Sequence, residues 1–119
     1  MATPHVRALF PPFDPTSAEA EDQYDTVVRR LNRARIERGK AARELDELSR
    51  QFVEGDLRVR SGPRRGQPLS RVGRRRRLER LLELGQEVRR LDGLEAFSRA
   101  ALDRMNEALD RWARETYGE

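Results

Sequence analysis

The chain has 119 residues, with 25 Lys and Arg against 21 Asp and Glu, and its composition excludes several classes of protein. It has no cysteine, which excludes a thiol nucleophile, a disulfide framework and a cysteine-ligated zinc site. A single histidine, His5, is too little for a histidine metal cluster, and we expect no metal, no cofactor and no catalytic residue. No stretch reaches the roughly 18 apolar residues of a membrane span or the pattern of a signal peptide, so we predict a cytoplasmic protein.

The positive charge is concentrated in one segment. Lys40 is the only lysine, so 24 of the 25 basic residues are arginines, whose planar forks suit phosphates and carboxylates. The segment from Leu57 to Arg77, the basic segment, holds nine arginines and no acid. The remaining residues carry a net charge of −5, so one short segment makes an acidic chain basic.

Residues 1–15 are predicted to form an extended N-terminal arm, because their four prolines remove backbone hydrogen-bond donors and fix φ. Phe10 and Phe13 lie between these prolines. They would either dock into a groove of a partner or pack on the chain's own domain, and a disordered arm is the third alternative.

A first helix of about 37 residues is predicted after the arm. Thr16 and Glu19 have the spacing of a capping box at its start. Apolar residues then follow at intervals of three and four up to Phe52, interrupted only by Arg38. Arg38 would either fix the register against an acid on a facing helix or extend its charge into solvent, and we expect the latter.

Residues 54–70 are predicted to connect two helices, with Gly55 as the C-cap of the first. The alternation of Leu57 to Arg60 permits a short β-ribbon, although we favour a flexible arginine-rich loop. A second helix is expected from Ser70 to Thr116, with a kink or break at Gly93 that would give either two or three helices. Its apolar face is wider than pairing with one helix requires.

These elements predict an all-α protein, an antiparallel helical hairpin over residues 16–119 with the connecting loop at 54–70. A third helical segment after Gly93 is the alternative. Two helices bury little core, so we expect a coiled-coil assembly, either an oligomer that forms a helical bundle or a complex with a helical partner protein. Trp112 joins Phe10 and Phe13 as a candidate partner-binding residue.

Arg74 to Arg77 fall in the first turns of the second helix, where the positive end of the helix dipole disfavours cations. Glu54 and Asp56 could compensate them internally, and an external anion could do so instead. Because two acids cannot neutralise nine arginines, we predict a polyanion site formed by Arg58, Arg60, Arg64, Arg65, Arg71, Arg74, Arg75, Arg76 and Arg77. The basic segment has no aromatic residue for stacking bases, which favours contact with a DNA or RNA backbone without sequence specificity.

The residues from Arg77 to Gly85 resemble the middle helix of the small all-helical chorismate mutases. The resemblance implies a dimer of three-helix chains with a cationic pocket for a dicarboxylate, towards which Arg29 and Lys40 would face. The residues themselves indicate a non-enzymatic assembly or accessory protein that binds a polyanion. A coiled-coil adaptor, chaperone or structural subunit is the alternative, and a chorismate mutase the minor one.

Overall fold

The computed structural model describes residues 12–118, which form two long α-helices. Helix α1 spans Ala20–Glu54 and helix α2 spans Arg71–Tyr117, and no strand is present among residues 12–118. The predicted all-α helical hairpin is therefore confirmed. Neither helix carries an apolar run suited to crossing a lipid bilayer.

The chain divides into two compact units, and both helices contribute to each. The terminal unit comprises Met1–Ala34 and Gly93–Glu119, and the loop unit comprises Arg35–Asp92. In each unit the two helices run antiparallel.

The core of the loop unit is a narrow apolar seam between α1 and α2. Ala41 and Leu48 of α1 cluster with Leu84 and Leu91 of α2, and the two α2 leucines are almost fully buried. Burial of a leucine side chain contributes about 1.5 to 3 kcal/mol, so this seam is the main source of stability in the unit.

The terminal unit has a second apolar cluster, formed by Val27, Ala101 and Met105. Tyr24 packs against it, and its hydroxyl donates a hydrogen bond to Oδ1 of Asn106 on α2 (2.9 Å). On α1, the residues predicted at intervals of three and four, from Ala20 to Phe52 and with Arg38 among them, are all buried or half-buried. This confirms the predicted spacing.

The predicted capping box at Thr16 is wrong, because the side chains that precede α1 make other contacts. The Thr16 amide and hydroxyl both donate to Oδ1 of Asp14 (2.9 and 2.8 Å), which forms a turn ahead of the helix. Glu19 pairs with the Ser17 hydroxyl rather than with Thr16. Helix α1 therefore begins at Ala20, one turn later than predicted.

Gly55 ends α1 as predicted. It has a positive φ of 69°, its amide donates to the Phe52 carbonyl, and the Asp56 amide donates to the Gln51 carbonyl. These two bonds form a Schellman motif, which satisfies carbonyls left open at the helix end. Ser70 begins α2 as its N-cap, since its hydroxyl accepts a hydrogen bond from the Gly73 amide (3.2 Å).

Helix α2 passes through Gly93 without a break, so the predicted third helical segment is absent from the described residues. A single helical glycine costs about 1 kcal/mol and does not interrupt a helix of this length when packing supports its flanks. Leu91 is buried and Leu94 partly covered on either side of it.

The prediction for Arg38 is also wrong. Its Nε lies 3.4 Å from Oδ1 of Asp92, so the guanidinium pairs with an acid on the facing helix. Pairing with an acid on the facing helix was the alternative that the sequence left open for Arg38.

The wide apolar face of α2 leaves several large side chains exposed. Leu78 and Leu82 in the loop unit are 47% and 62% exposed, and Leu94 and Phe97 in the terminal unit are 39% and 45% exposed. The predicted assembly into a bundle stays a prediction.

We expect Gly55→Ala to destabilise the protein by about 1 kcal/mol, because an L-side chain is strained at positive φ even where space is available. Chemical denaturation followed by circular dichroism at 222 nm measures the change. Gly93→Ala is the matched control: no heavy atom lies within 4 Å of its added methyl group, so this variant should gain up to about 1 kcal/mol. A loss of stability in Gly93→Ala would contradict an uninterrupted α2.

We expect Ser98→Ala to stabilise the protein by about 0.5 to 1 kcal/mol. Ser98 is fully buried, and its hydroxyl has no hydrogen-bond partner among the described residues, so removing it relieves a desolvation cost. Thermal unfolding by calorimetry tests this, and a lower midpoint for Ser98→Ala would show that the hydroxyl is hydrogen-bonded.

Candidate polyanion-binding site

The basic segment is folded rather than a loose loop. Its start and its middle pair through hydrogen bonds from the Leu69 amide to the Leu57 carbonyl (3.0 Å) and from the Val59 amide to the Gln67 carbonyl (2.9 Å). Arg58 and Pro68 form an antiparallel bridge, and Leu57 is buried. The preferred expectation of a flexible loop gives way to the alternative in a minimal form, a short ribbon held by one antiparallel bridge without full strands.

Two glycines permit the turn of this ribbon. Gly62 and Gly66 both have a φ of 85°, a region that L-residues with side chains rarely adopt. The Arg65 amide donates to the Gly62 carbonyl, which closes the turn and places Arg64 and Arg65 at its exposed end.

Arg58 and Arg77 hold the ribbon in place. Arg58 donates from Nε to Asp56 (2.7 Å) and from Nη1 to the Gly66 carbonyl (2.9 Å), across the ribbon. Arg77 on α2 donates to the Arg58 carbonyl (2.6 Å) and to Oε1 of Gln51 on α1 (3.1 Å). These two predicted ligand-binding residues therefore have structural contacts.

The predicted internal compensation of Arg74 to Arg77 does not occur through Glu54 and Asp56. Glu54 accepts a hydrogen bond from Arg50 within α1, and Asp56 pairs with Arg58. Of the arginines from Arg74 to Arg77, only Arg75 forms an ion pair with an acid of residues 12–118, Glu79, at 3.8 Å. Glu54 and Asp56 each bind an arginine that is nearer in sequence, so neither neutralises the positive charge at the start of α2.

The other arginines of the basic segment have exposed side chains. Within residues 12–118, no hydrogen bond or close ion pair involves the guanidinium groups of Arg60, Arg64, Arg65, Arg71, Arg74 and Arg76. Each of these groups presents five N–H donors, and none is held by a carboxylate.

A cavity beside the ribbon joins two arginines of the predicted polyanion site, Arg60 and Arg77, to residues that the sequence did not single out. It measures about 170 Å³ and is lined by Glu44, Glu47, Leu48, Arg60, Arg77 and Arg80. The sequence predicts Glu44 on the first helix and Arg80 on the second. Only the register of the two antiparallel helices brings their side chains together.

Charges around this cavity are partly paired. Arg80 binds Glu44 through two hydrogen bonds (3.1 and 3.0 Å). Hydrogen bonds from Arg50 and Gln51 hold the pKa of Glu47 below its ordinary value, and the charge of Arg60 acts in the same direction. Burial lowers the pKa of Arg77, and the positive charge of Arg60, which lines the same cavity, lowers it further.

The predicted partner-binding aromatics have different positions. Phe10 lies outside the described residues, and Phe13 packs against the apolar cluster of the terminal unit, as the alternative of an arm on its own domain predicts. Trp112 is half-buried and makes an edge-to-face contact with Tyr117, with ring centroids 6.0 Å apart. Their binding to a partner stays a prediction.

The resemblance to the chorismate mutases implies three helices, whereas the described residues form two. The matching stretch from Arg77 to Gly85 lies within the first third of the uninterrupted α2. Arg29 lies in the terminal unit and Lys40 in the loop unit, and the side chains of both are exposed. Among residues 12–118, no group of three or more acidic, His or Cys side chains is arranged to hold a metal ion.

Comparisons of this chain with models of protein families, with curated proteins and with solved structures found no match.

Proposed function

We propose that the chain binds the phosphate backbone of a nucleic acid through the exposed arginines of the basic segment, without reading the base sequence. The observation that carries the proposal is a set of six arginines whose guanidinium groups form no close ion pair with an acid in the described part of the chain. They are concentrated in one folded segment, next to the start of a helix whose dipole adds to the positive potential. A phosphate backbone offers the closely spaced anions that such a cluster lacks.

The placement of the arginines supports contact with several phosphates at once. Arg71, Arg74 and Arg75 share one face of α2 by their spacing of three and four residues, while Arg64 and Arg65 extend from the turn of the ribbon. The hydrogen bonds of Arg58 and Arg77 tie this ribbon to both helices. The site is therefore preorganised, which reduces the entropy that binding must overcome.

The chemistry of the segment favours backbone contact over base recognition. No aromatic residue lies between Leu57 and Arg77 to stack on bases, and Gln67, its only amide side chain, lies in the ribbon. Arginine forks bind phosphate oxygens by two parallel hydrogen bonds, which fixes position without reading sequence. This mode would serve an accessory protein of a cytoplasmic nucleoprotein assembly.

A second candidate function is a helical adaptor or structural subunit, which the exposed apolar residues of α2 favour. Leu78 and Leu82 lie one turn apart in the loop unit, and Leu94 and Phe97 do so in the terminal unit. Such pairs are typical of helix faces that contact another chain. In that function the arginines would contact an acidic protein surface.

We expect the protein to bind duplex DNA of unrelated sequences with similar affinity, and to lose about two decades of affinity when salt rises fourfold. This slope corresponds to about four phosphate contacts. Fluorescence polarisation against labelled duplexes measures both properties. Binding that is insensitive to salt, or absent at low salt, would contradict the proposed function.

The triple variant Arg64→Gln, Arg74→Gln, Arg76→Gln should weaken DNA binding and reduce the salt slope by about 2.7, since each lost phosphate contact removes about 0.9. Arg29→Gln, Arg33→Gln, Arg89→Gln is the matched control. Its three arginines are also exposed and lie outside the basic segment, so the net charge falls equally. Equal losses in the two variants would show that binding follows net charge alone.

Charge reversal separates the two candidate functions. We expect Arg74→Glu, Arg75→Glu, Arg76→Glu to abolish DNA binding and to leave the molar mass from light scattering unchanged. Arg77 is left intact because it holds the ribbon. A variant that changes its molar mass would place these arginines in an interface between chains and favour the adaptor.

A further inference from the structure

We propose that the cavity lined by Arg60, Arg77 and Arg80 seats one phosphate group of the bound nucleic acid, with Arg60 and Arg77 as its ligands. This inference rests on the proposed function and assigns one particular phosphate contact within it. The cavity belongs entirely to the loop unit and lies between the C-terminal half of α1, the ribbon and the first turns of α2.

The side chains that line the cavity carry one excess positive charge, with the arginines Arg60, Arg77 and Arg80 against Glu44 and Glu47. Arg80 forms an ion pair with Glu44, and Glu47 forms one with Arg50. Among the described residues, neither Arg60 nor Arg77 forms a close ion pair with a carboxylate, although the charge of Arg60 acts on Glu47 across the cavity. A phosphate diester or a terminal phosphate carries the negative charge that balances this excess.

Arg77 keeps donors available for a ligand. Its two hydrogen bonds among the described residues go to neutral oxygens, the Gln51 amide and the Arg58 carbonyl, and use two of its five N–H groups. These contacts orient the guanidinium without neutralising it. Arg77 is also half-buried, and a partly desolvated cation gains more from an anion than one in bulk water does.

Arg60 approaches the cavity from the ribbon. No hydrogen bond among the described residues holds its guanidinium, so its N–H groups are available to a ligand in the cavity. The cavity volume of about 170 Å³ is several times the roughly 30 Å³ that a water molecule takes up in the liquid. A phosphate group can therefore enter the cavity.

The Nε–H resonances of the arginines, observed by ¹H–¹⁵N NMR during a titration with inorganic phosphate, test the proposal on the full chain. We expect the resonances of Arg60 and Arg77 to shift and saturate, and that of Arg64 to follow only the general effect of salt, measured with chloride. Uniform, non-saturating shifts of all arginines would overturn the site.

Arg60→Gln is the informative variant, because Arg60 makes no contact that the ribbon needs. It should weaken phosphate binding about tenfold, the effect of one charge-assisted contact. Arg64→Gln, which removes the same charge outside the cavity, should change it less than twofold. Similar losses in both variants would overturn the assignment.

Duplexes with and without a 5′-phosphate distinguish a terminal phosphate from one within the backbone. A stronger loss for Arg60→Gln on the phosphorylated duplex assigns the cavity to the strand end, and equal losses assign it to the backbone. DNA binding without a saturable phosphate site would overturn this inference and leave the proposed function standing. Saturable phosphate binding without DNA binding would overturn both.

Discussion

Burial along a narrow apolar seam sets the register on which every other contact in this protein depends. With two helices and no strand among residues 12–118, the buried side chains of each unit come from facing positions of α1 and α2. In the loop unit, Leu84 and Leu91 meet Ala41 and Leu48, and this alignment brings Arg80 to Glu44 and Arg38 to Asp92. The ion pairs are exposed and contribute little free energy, so they follow the seam rather than create it.

The arginines of the basic segment divide into two groups by what they contact. Arg58 and Arg77 donate hydrogen bonds to backbone carbonyls, Gln51 and Asp56, and thereby hold the ribbon against the helices. Most of the others have no partner in the described part of the chain. Repulsion between this many like charges destabilises the segment. Arg58 and Arg77 fix the ribbon from which unpaired arginines extend. The same preorganisation that costs stability favours the binding of an anion with matching spacing.

Predictions made from short sequence patterns were wrong where a competing interaction nearby was more favourable. Thr16 and Glu19 fit a capping box, but Asp14 offers the Thr16 amide a closer acceptor and starts a separate turn. Gly93 suggests a break, yet the helical bonds on either side carry α2 through it. Glu54 and Asp56 are near the basic segment in sequence, but each has an arginine closer still, so neither reaches the start of α2.

Helical periodicity and turn chemistry made the architecture readable from the amino acids alone. The spacing of apolar residues predicted both helices, Gly55 marked the end of the first, and the arginine count located the candidate site, because these properties depend on neighbours within a few positions. The sequence offered the ribbon only as the less favoured alternative, and it could not reveal the role of Arg77 or the cavity beside the ribbon. Each of these requires residues from α1, the loop and α2 at once, and their meeting depends on the register of the seam and on how many residues the ribbon takes up. Only the tertiary structure decides those distances, since they follow from packing across the whole loop unit rather than from any single stretch of the chain.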